Sequence, residues 1–279
     1  MIKVVYAEGC SITSGAEHAD WYMNEKGLEY SETTWAAQVK RMCFPGAKYF
    51  PTARSSSSNA HIRRRAIYYL TELLKTYRGK DIVFLVQWTD MNRREVRLEK
   101  TKDTKNYTTY HDTDEKLYTT MLPIDFKGAS FSNPIAKQED RNEWLEKNNL
   151  FTYFSEYNLK ITSYEASFYD SLTEIETLRN FCKLNKIKMY ETHAFAELLG
   201  RYHPIDKIND KFLINLIKRI DINNTSFYTL DKKDNPQGLH EWTKENKLQL
   251  GPGFHPLEEP HLAWARKFIA HYNIPRVNK

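Results

Sequence analysis

Residues 2–13 read IKVVYAEGCSIT, an apolar run that gives way to small and polar residues. The apolar run predicts a short buried strand, and the small residues predict a tight turn after it. Gly9 has no side chain, so the backbone of this turn can approach a ligand closely. Ser11 then presents its hydroxyl at the carboxyl end of the strand, where open α/β sheets bind ligands. A strand followed by an ordinary polar loop would give the same pattern, so the interpretation depends on the rest of the chain.

Further strands and helices alternate along the chain. Residues 48–53 predict a short second strand, and the continuously apolar residues 81–87 are typical of a central parallel strand covered on both faces. Residues 187–191 predict another strand. Apolar residues at helical spacing predict helices over residues 34–42, 59–77, 166–184, 211–220 and 258–272. This order predicts an α/β protein with a doubly wound parallel sheet.

The alternation is interrupted from about residue 96 to about residue 160. This segment is rich in Lys, Thr, Asp and Tyr, has no sustained period, and contains Pro123 and Pro134. Long irregular insertions usually form lids, binding loops or interaction surfaces. We therefore predict one α/β domain over residues 1–279, with an irregular insertion that borders the ligand site.

The composition limits the classes of partner. With 41% hydrophobic and 14% aromatic residues, the chain is typical of a folded globular protein. Lys and Arg number 41 against 36 Asp and Glu, and the net charge of +5 is spread along the chain, which does not indicate nucleic acid. The sequence leaves the oligomeric state open.

The sequence also bears on compartment and cofactors. Three widely separated cysteines indicate neither a disulfide framework nor a zinc cluster. The N-terminal residues lack the apolar segment of a signal peptide, and no run approaches the ~18 apolar residues of a membrane span. We expect a cytoplasmic protein without a membrane partner. No phosphate loop, dinucleotide fingerprint or His-Glu-x-x-His motif occurs, so we expect no cofactor and no metal.

Two later segments carry motifs that belong with residues 9–13. Residues 56–64 read SSSNAHIRR and open a predicted helix, and residues 253–265 read GFHPLEEPHLAWA. Together with the Gly-Cys-Ser-x-Thr of residues 9–13, these blocks resemble the SGNH (GDSL-like) hydrolase superfamily, most closely its divergent members encoded by bacteriophages. The resemblance implies a three-layer α/β/α sandwich with a flavodoxin-like parallel sheet. A phage protein of this kind would act in the host cytoplasm.

Ser11 is the candidate nucleophile and His255 the candidate general base. A serine hydroxyl needs such a base because it is protonated at neutral pH. In the family the last block supplies this histidine, preceded three residues earlier by an aspartate, and that position holds Pro252 here. A Ser-His dyad, or a carboxylate such as Glu258 or Glu259, would then have to orient the imidazole.

The resemblance also implies an oxyanion site. Its donors would be the backbone N–H of Ser11, a backbone N–H of Ser57 or Ser58, and a residue at the end of the third strand. Thr89 occupies that last position, where the family has an asparagine, and a threonine donates one hydrogen bond from a different geometry. Asn59 either donates from its side chain or caps the helix that follows.

Five residues are predicted to bind the substrate: Gly9, Arg64, Trp88, Arg93 and His261. His261 lies on the last predicted helix, where a hydrogen-bonded structural histidine would look the same. Arg64 and Arg93 belong to motifs that match the phage proteins, and a guanidinium at this sheet edge can hold a phosphate or carboxylate. We therefore expect a small anionic substrate, although each arginine could instead be solvated or paired with a local acid.

Three functions remain open from the sequence. The first is a serine hydrolase that cleaves an ester or acyl bond. The second is an enzyme on the same fold that acts on phosphoesters or nucleotides. The third is a ligand-binding protein without turnover, which the missing aspartate and asparagine would explain. Fold similarity does not choose among them, because function depends on the site.

Overall fold

The computed structural model describes residues 1–23, 29–97, 118–124, 128–132, 163–202 and 205–277. In chain order the strands are β1 (Val4–Glu8), β2 (Tyr22–Met23), β3 (Glu29–Tyr30), β4 (Lys48–Pro51), β5 (Ile82–Trp88), β6 (Arg94–Arg97), β7 (Tyr118–Ile124), β8 (Gly128–Ser132), β9 (Lys188–His193), β10 (Thr229–Leu230) and β11 (Pro236–Gln237). The α-helices are α1 (Ser11–Ser14), α2 (Trp35–Cys43), α3 (Asn59–Leu74), α4 (Tyr164–Leu184), α5 (Lys211–Ile220), α6 (Ile222–Thr225), α7 (Leu239–Glu245) and α8 (Glu258–His271).

The central sheet contains four parallel strands in the order β4-β1-β5-β9. All residues of β1 and β5 are buried, as expected for parallel strands covered on both faces. Because the strands are parallel, their carboxyl ends meet at one edge, and the segments that follow β1, β5 and β9 begin there. This edge carries the candidate site.

Helices cover the sheet on both faces. Alternate side chains of the strands point to opposite sides, so Tyr6 and Phe84 pack in one hydrophobic cluster with α3, α4 and α5, and their rings stack with centroids 5.0 Å apart. Val5 and Leu85 pack in the other cluster with α2 and α8. The molecule is therefore an α/β sandwich with a parallel sheet between two helical layers, as predicted.

The elements predicted from the sequence are confirmed, with shifts of a few residues at their ends. Helix α5 begins and ends at the predicted residues, since Asp210 caps it by accepting hydrogen bonds from the N–H groups of Phe212 and Leu213. Helix α3 ends at Leu74, three residues before the predicted end. None of the helices in these described ranges is both long and apolar enough to cross a membrane.

The predicted insertion differs from the expectation of an irregular segment. Strands β6, β7 and β8 form an antiparallel sheet with β7 in the middle. The sequence does not predict β7 because this strand contains Pro123, and proline is rare inside central strands. It is accommodated because the pairing with β6 stops at Met121, which leaves Pro123 paired on the β8 side alone. Residues 98–117, 125–127 and 133–162, and the predicted border with the ligand site, lie outside the described residues.

Candidate active site

Ser11 lies where β1 turns into the short helix α1. The chain leaves the strand at Glu8 and begins the helix at Ser11, and Gly15 ends it in a left-handed conformation with φ 78°. This turn points the hydroxyl toward the loop that precedes α8, and Ser11 Oγ lies 2.9 Å from His255 Nε2. The two candidate catalytic residues, 244 positions apart in sequence, are therefore in hydrogen-bond contact.

A third side chain completes the arrangement. Nδ1 of His255 lies 3.0 Å from Oε2 of Glu17, and the side chains of both residues are partly exposed. An ionised carboxylate only accepts hydrogen bonds, so Nδ1 carries the proton and donates it to Glu17. Nε2 of the neutral ring is then free to accept from the Ser11 hydroxyl. This tautomer is the one a general base needs.

Backbone groups hold the Glu17 carboxylate in place. It accepts hydrogen bonds from the N–H groups of Gly253 and His255, the latter at 3.2 Å. Burial raises the pKa of Glu17, but these hydrogen bonds and the one from the His255 ring outweigh it and lower the pKa below its ordinary value of 4.5. Glu17 itself has a left-handed backbone with φ 71°, an uncommon conformation for a residue other than glycine. The carboxylate is thus ionised and oriented at neutral pH.

The Gly251-Pro252-Gly253 segment explains how this contact forms. A Cβ atom at Gly251 would lie 2.5 Å from Glu17 Oε2, and one at Gly253 would lie 2.6 Å from Oε1. Both positions need glycine because the loop wraps closely around the carboxylate. Pro252 occupies the position at which the resemblance implied an aspartate, and the acid contacting His255 comes instead from the segment after Ser11.

The sequence left open a Ser-His dyad or a carboxylate from elsewhere, with Glu258 and Glu259 as examples, and Glu17 was missed. Glu258 instead accepts a hydrogen bond from the backbone N–H of Ala19 at 2.8 Å. Glu17 was overlooked because it lies in a polar stretch that has no helical or strand period. An acid six residues after the serine, together with two glycines beside the histidine, was the available signal.

Asn59 and Thr89 are joined to each other. The N–H of Thr89 donates to Asn59 Oδ1 at 2.9 Å, and Asn59 Nδ2 donates to the Thr89 carbonyl at 3.2 Å and to Ser171 Oγ at 3.1 Å. Both amide hydrogens of Asn59 are therefore used, and the side chain ties the start of α3 to the end of β5. This corrects its predicted role as an oxyanion donor. Among the residues that the structure describes, the buried Thr89 hydroxyl has no hydrogen-bond partner.

Ser58 and Gly9 also have structural roles. The Ser58 side chain caps α3 by accepting a hydrogen bond from the N–H of His61 at 3.1 Å, which leaves only its backbone N–H as a candidate donor. A Cβ atom at Gly9 would lie 2.2 Å from Thr13 Oγ1, whose hydroxyl donates to Gln87 Oε1. The missing side chain of Gly9 thus makes room for Thr13 and Gln87, and the contact of Gly9 with a ligand stays a prediction.

Two predicted substrate-binding residues lie in the interior. Trp88 is fully buried and its Nε1 donates to Glu191 at 2.8 Å. His261 is fully buried and its Nδ1 accepts the N–H of Trp35 at 2.9 Å. Burial lowers the pKa of His261 well below its ordinary range, so the ring is neutral. Both side chains belong to the core, and their assignment to the substrate site is wrong for that reason.

The two predicted arginines differ. Arg64 is half-buried and has interactions of its own. Arg93 follows β5, and its Nη1 lies 3.5 Å from the carbonyl oxygen of Ser57. Its guanidinium carbon lies 5.4 Å from the centre of the Phe195 ring. Arg93 thus stands at the same sheet edge as Ser11, between the loop before α3 and the segment after β9.

One group of side chains has the composition of a metal site. Ligand atoms of His18, Asp20 and Glu258 lie within 4.8 Å of one another. Protein groups already contact these atoms: His18 contacts Thr33 Oγ1 and the Pro256 carbonyl, Asp20 accepts from Ser31 and the N–H of Glu32, and Glu258 accepts from the N–H of Ala19. The group is a hydrogen-bonded support for the Pro256 loop.

Comparison with known proteins gives structural similarities only. No protein-family model and no curated protein sequence matches the chain. Among solved structures, a member of the lipolytic G-D-S-L family from Veillonella parvula is 9% identical with a TM-score of 0.42, over 98% of this chain and 99% of that one. A catalytic mutant of Axe2, an acetylxylan esterase from Geobacillus stearothermophilus, is 11% identical with a TM-score of 0.43. This match covers 99% of this chain and 97% of that one. These structural neighbours are GDSL-family esterases.

The ionised Glu17 predicts a specific pH dependence of stability. Since its pKa is lowered on folding, the charged form stabilises the fold above pH 4.5, and this contribution is lost as the pH falls through the folded-state pKa. The difference in unfolding free energy between the native protein and Glu17→Gln is expected to be largest at pH 7 and to shrink below about pH 4. Urea unfolding at several pH values measures it. Glu72→Gln, an exposed residue of α3, is the control, and a pH-independent Glu17 difference would contradict the prediction.

Proposed function

We propose that the protein is a serine hydrolase in which Ser11, His255 and Glu17 cleave an ester bond. The observation that carries the proposal is the continuous chain of contacts from the Ser11 hydroxyl through both ring nitrogens of His255 to the Glu17 carboxylate. Nucleophile, base and orienting acid are all within hydrogen-bond distance, which is the arrangement of a catalytic triad. The acid that the sequence lacks before the histidine is thereby supplied from another segment.

The reaction follows from this geometry. Ser11 Oγ attacks the ester carbonyl while its proton moves to His255 Nε2, and Glu17 stabilises the imidazolium that forms. The tetrahedral intermediate collapses, the ester C–O bond breaks, and the departing alcohol oxygen takes the proton from Nε2. Water then attacks the acyl-Ser11 carbonyl and gives a proton to Nε2. As the bond between the acyl carbon and Ser11 Oγ breaks, Nε2 returns this proton to Oγ, which releases the carboxylic acid and the free serine.

Backbone groups are the proposed oxyanion donors. Ser11 is the first residue of α1, and the N–H groups in the first turn of a helix have no acceptor within the helix. The N–H of Ser11 is therefore available to the oxygen that becomes negative in the intermediate. The backbone N–H of Ser58 is the second candidate, because the Ser58 hydroxyl and the Asn59 amide are already bonded within the protein.

The contact between Glu17 and His255 removes the main reason for one of the alternative functions. A ligand-binding protein without turnover was considered because the usual aspartate is missing, and Glu17 supplies a carboxylate in its place. We extend the proposal to a small anionic substrate, as the sequence predicts. Arg93 supports this extension, and an anionic group on an ester also accounts for the arginine that motivated the phosphoester alternative.

A fluorophosphonate probe tests the proposal directly. The probe reacts with a serine only when a base activates it, so we expect one adduct on Ser11, located by mass spectrometry of the digested protein. Ser11→Ala should abolish labelling and ester hydrolysis. Ser163→Ala, which removes the serine that caps α4, should label like the native protein. An adduct at another serine, or none on the folded protein, would refute the assignment.

A further inference from the structure

Arg93 has an unusual environment for an arginine that is only partly exposed. A guanidinium has five N–H donors, and the single hydrogen bond of Arg93, at 3.5 Å to the Ser57 carbonyl, is at the long limit for this interaction. Within the described residues, Arg93 takes part in no ion pair and its remaining N–H groups have no hydrogen-bond acceptor. By contrast, Arg63 and Arg65 on α3 each pair with a glutamate.

Two acids lie near Arg93, and neither forms an ion pair with it within the described residues. The Asp90 carboxylate accepts hydrogen bonds from the backbone and side-chain N–H groups of Asn92, at 2.7 and 3.0 Å. Oε2 of Glu197 is buried, and among the described residues it has no hydrogen-bond partner. Burial, followed by the charges of Asp90 and Glu241, raises the pKa of Glu197, while the charge of Arg93 lowers it. Neither acid therefore occupies the N–H donors of Arg93.

The guanidinium is also fixed in position. It lies 5.4 Å from the centre of the Phe195 ring, within the range of a cation–π contact, while its Nη1 contacts Ser57. An arginine that is already ordered loses less conformational entropy when it binds a ligand. The guanidinium is thus already oriented to donate two parallel hydrogen bonds to a carboxylate or a phosphate.

Arg93 stands at the sheet edge that also carries Ser11. Ser57 precedes Ser58, the candidate oxyanion donor, and Phe195 follows β9, the strand next to β5. The Phe195 ring is 5.2 Å from the ring of His240. Arg93, Phe195 and His240 therefore form a continuous set of contacts along the carboxyl edge of the sheet.

We infer that Arg93 binds an anionic group of the substrate, a carboxylate or a phosphate, while the ester lies at Ser11. The inference rests on the proposed hydrolase function and narrows its substrate to esters that carry a negative charge. The charged group would occupy the N–H donors of Arg93 that the protein leaves open. The Phe195 ring would keep its cation–π contact with the guanidinium while the anionic group binds these N–H donors.

Paired substrates of equal size test the inference. Acetoxyacetate and 2-acetoxyethyl phosphate carry the charge on the alcohol part, and acetoxyacetamide is their neutral partner. 4-Nitrophenyl hemisuccinate carries it on the acyl part, and its methyl ester is neutral. The measured quantity is the ratio of kcat/KM between charged and neutral esters. For the native enzyme we expect at least one charged ester to be preferred about 10- to 100-fold, the effect of a hydrogen bond to a charged group.

Variants of Arg93 decide the outcome. Arg93→Ala should bring the ratio close to one, and Arg93→Lys should keep only part of it because the charge remains without the planar fork. Arg63→Ala, which removes an equal charge from α3, should leave the ratio unchanged. Native and Arg93→Ala proteins with the same ratio would overturn the inference and leave the hydrolase intact.

A binding measurement separates the two proposals. In Ser11→Ala protein, calorimetry with the charged esters should show binding that weakens at least about tenfold when Arg93→Ala is added. If no ester is hydrolysed and Ser11 is not labelled, the hydrolase proposal fails, and this binding difference still decides for or against the Arg93 site. Equal binding with and without Arg93 would overturn the inference.

Discussion

Glu17→Gln is expected to lower kcat for ester hydrolysis about 10³- to 10⁴-fold, the size of effect seen when the acid of a catalytic triad becomes an amide. The amide can present its NH₂ to His255 Nδ1, which favours the tautomer with the proton on Nε2. That ring cannot accept the Ser11 proton, and no carboxylate stabilises the imidazolium. Steady-state kinetics on an activated ester measures the loss.

Glu258→Gln is the matched control for this substitution. Glu258 was one of the two carboxylates that the sequence offered as alternatives to a dyad, and it contacts the backbone of Ala19 in the structure. We expect kcat to change by less than about threefold, since the side chain does not touch the three catalytic residues. A large loss for Glu258→Gln and a small one for Glu17→Gln would reverse the assignment. Urea unfolding curves that show both variants fully folded without urea would establish that the rates do not reflect unfolding.

Most of the fold was predictable because its signals are local. The continuous apolar run of β5 and the helical spacing of α5 each lie within one segment, and both elements appear where the sequence predicts them. Helix α7 was not predicted, because its seven residues are too few to show a helical period. The sheet formed by β6, β7 and β8 was missed for a related reason, since the proline in β7 is acceptable only through a pairing that the sequence does not reveal.

The site was predictable in part. Ser11 and His255 were predicted as a pair because each lies in a motif of adjacent residues, and the structure places the two side chains in hydrogen-bond contact. Glu17 was not found, because its role depends on two segments that are distant in sequence. The side chain reaches His255 only because Gly251 and Gly253 allow the loop to close around the carboxylate. Contacts between segments that are far apart in sequence leave no periodic pattern in either one.

Asn59 shows the opposite error. The motif that contains it led to the prediction of an oxyanion donor or a helix cap, and the structure uses its amide to join α3 to β5. An asparagine at a helix start can cap, donate to a ligand or bridge to a neighbouring strand with the same local sequence. The choice depends on how closely the end of β5 approaches, which the local sequence does not determine.

A buried ion pair beneath the Ser11 turn predicts a large effect on stability. Glu8 and Arg65 are both fully buried, and Arg65 Nη2 lies 2.6 Å from Glu8 Oε1. The Glu8 carboxylate also accepts hydrogen bonds from the hydroxyls of Tyr6 and Thr52 and from the N–H of Gly9. The carboxylate therefore fixes the first residue of the turn that carries Ser11.

Arg65→Met is expected to lower the unfolding free energy by about 3–5 kcal/mol at pH 7, the usual cost of removing one partner of a buried ion pair. Arg63→Ala, which breaks the partly exposed pair with Glu174 on the same helix, should cost less than about 1 kcal/mol. Urea unfolding measures both. The double variant Glu8→Gln with Arg65→Met should recover part of the loss, because no charge is then left buried.

The pH dependence of this loss separates an unpaired charge from simple misfit of the new side chain. Burial raises the pKa of Glu8 even with Arg65 beside it, so removing Arg65 should raise it further. A carboxyl whose pKa rises on folding destabilises the fold as the pH climbs above the unfolded value, and costs little when it is protonated. The deficit of Arg65→Met should therefore be largest at pH 7 and shrink toward pH 4.5. A deficit that stays constant over this range would show that lost packing, and not the unpaired Glu8 carboxylate, destabilises the variant.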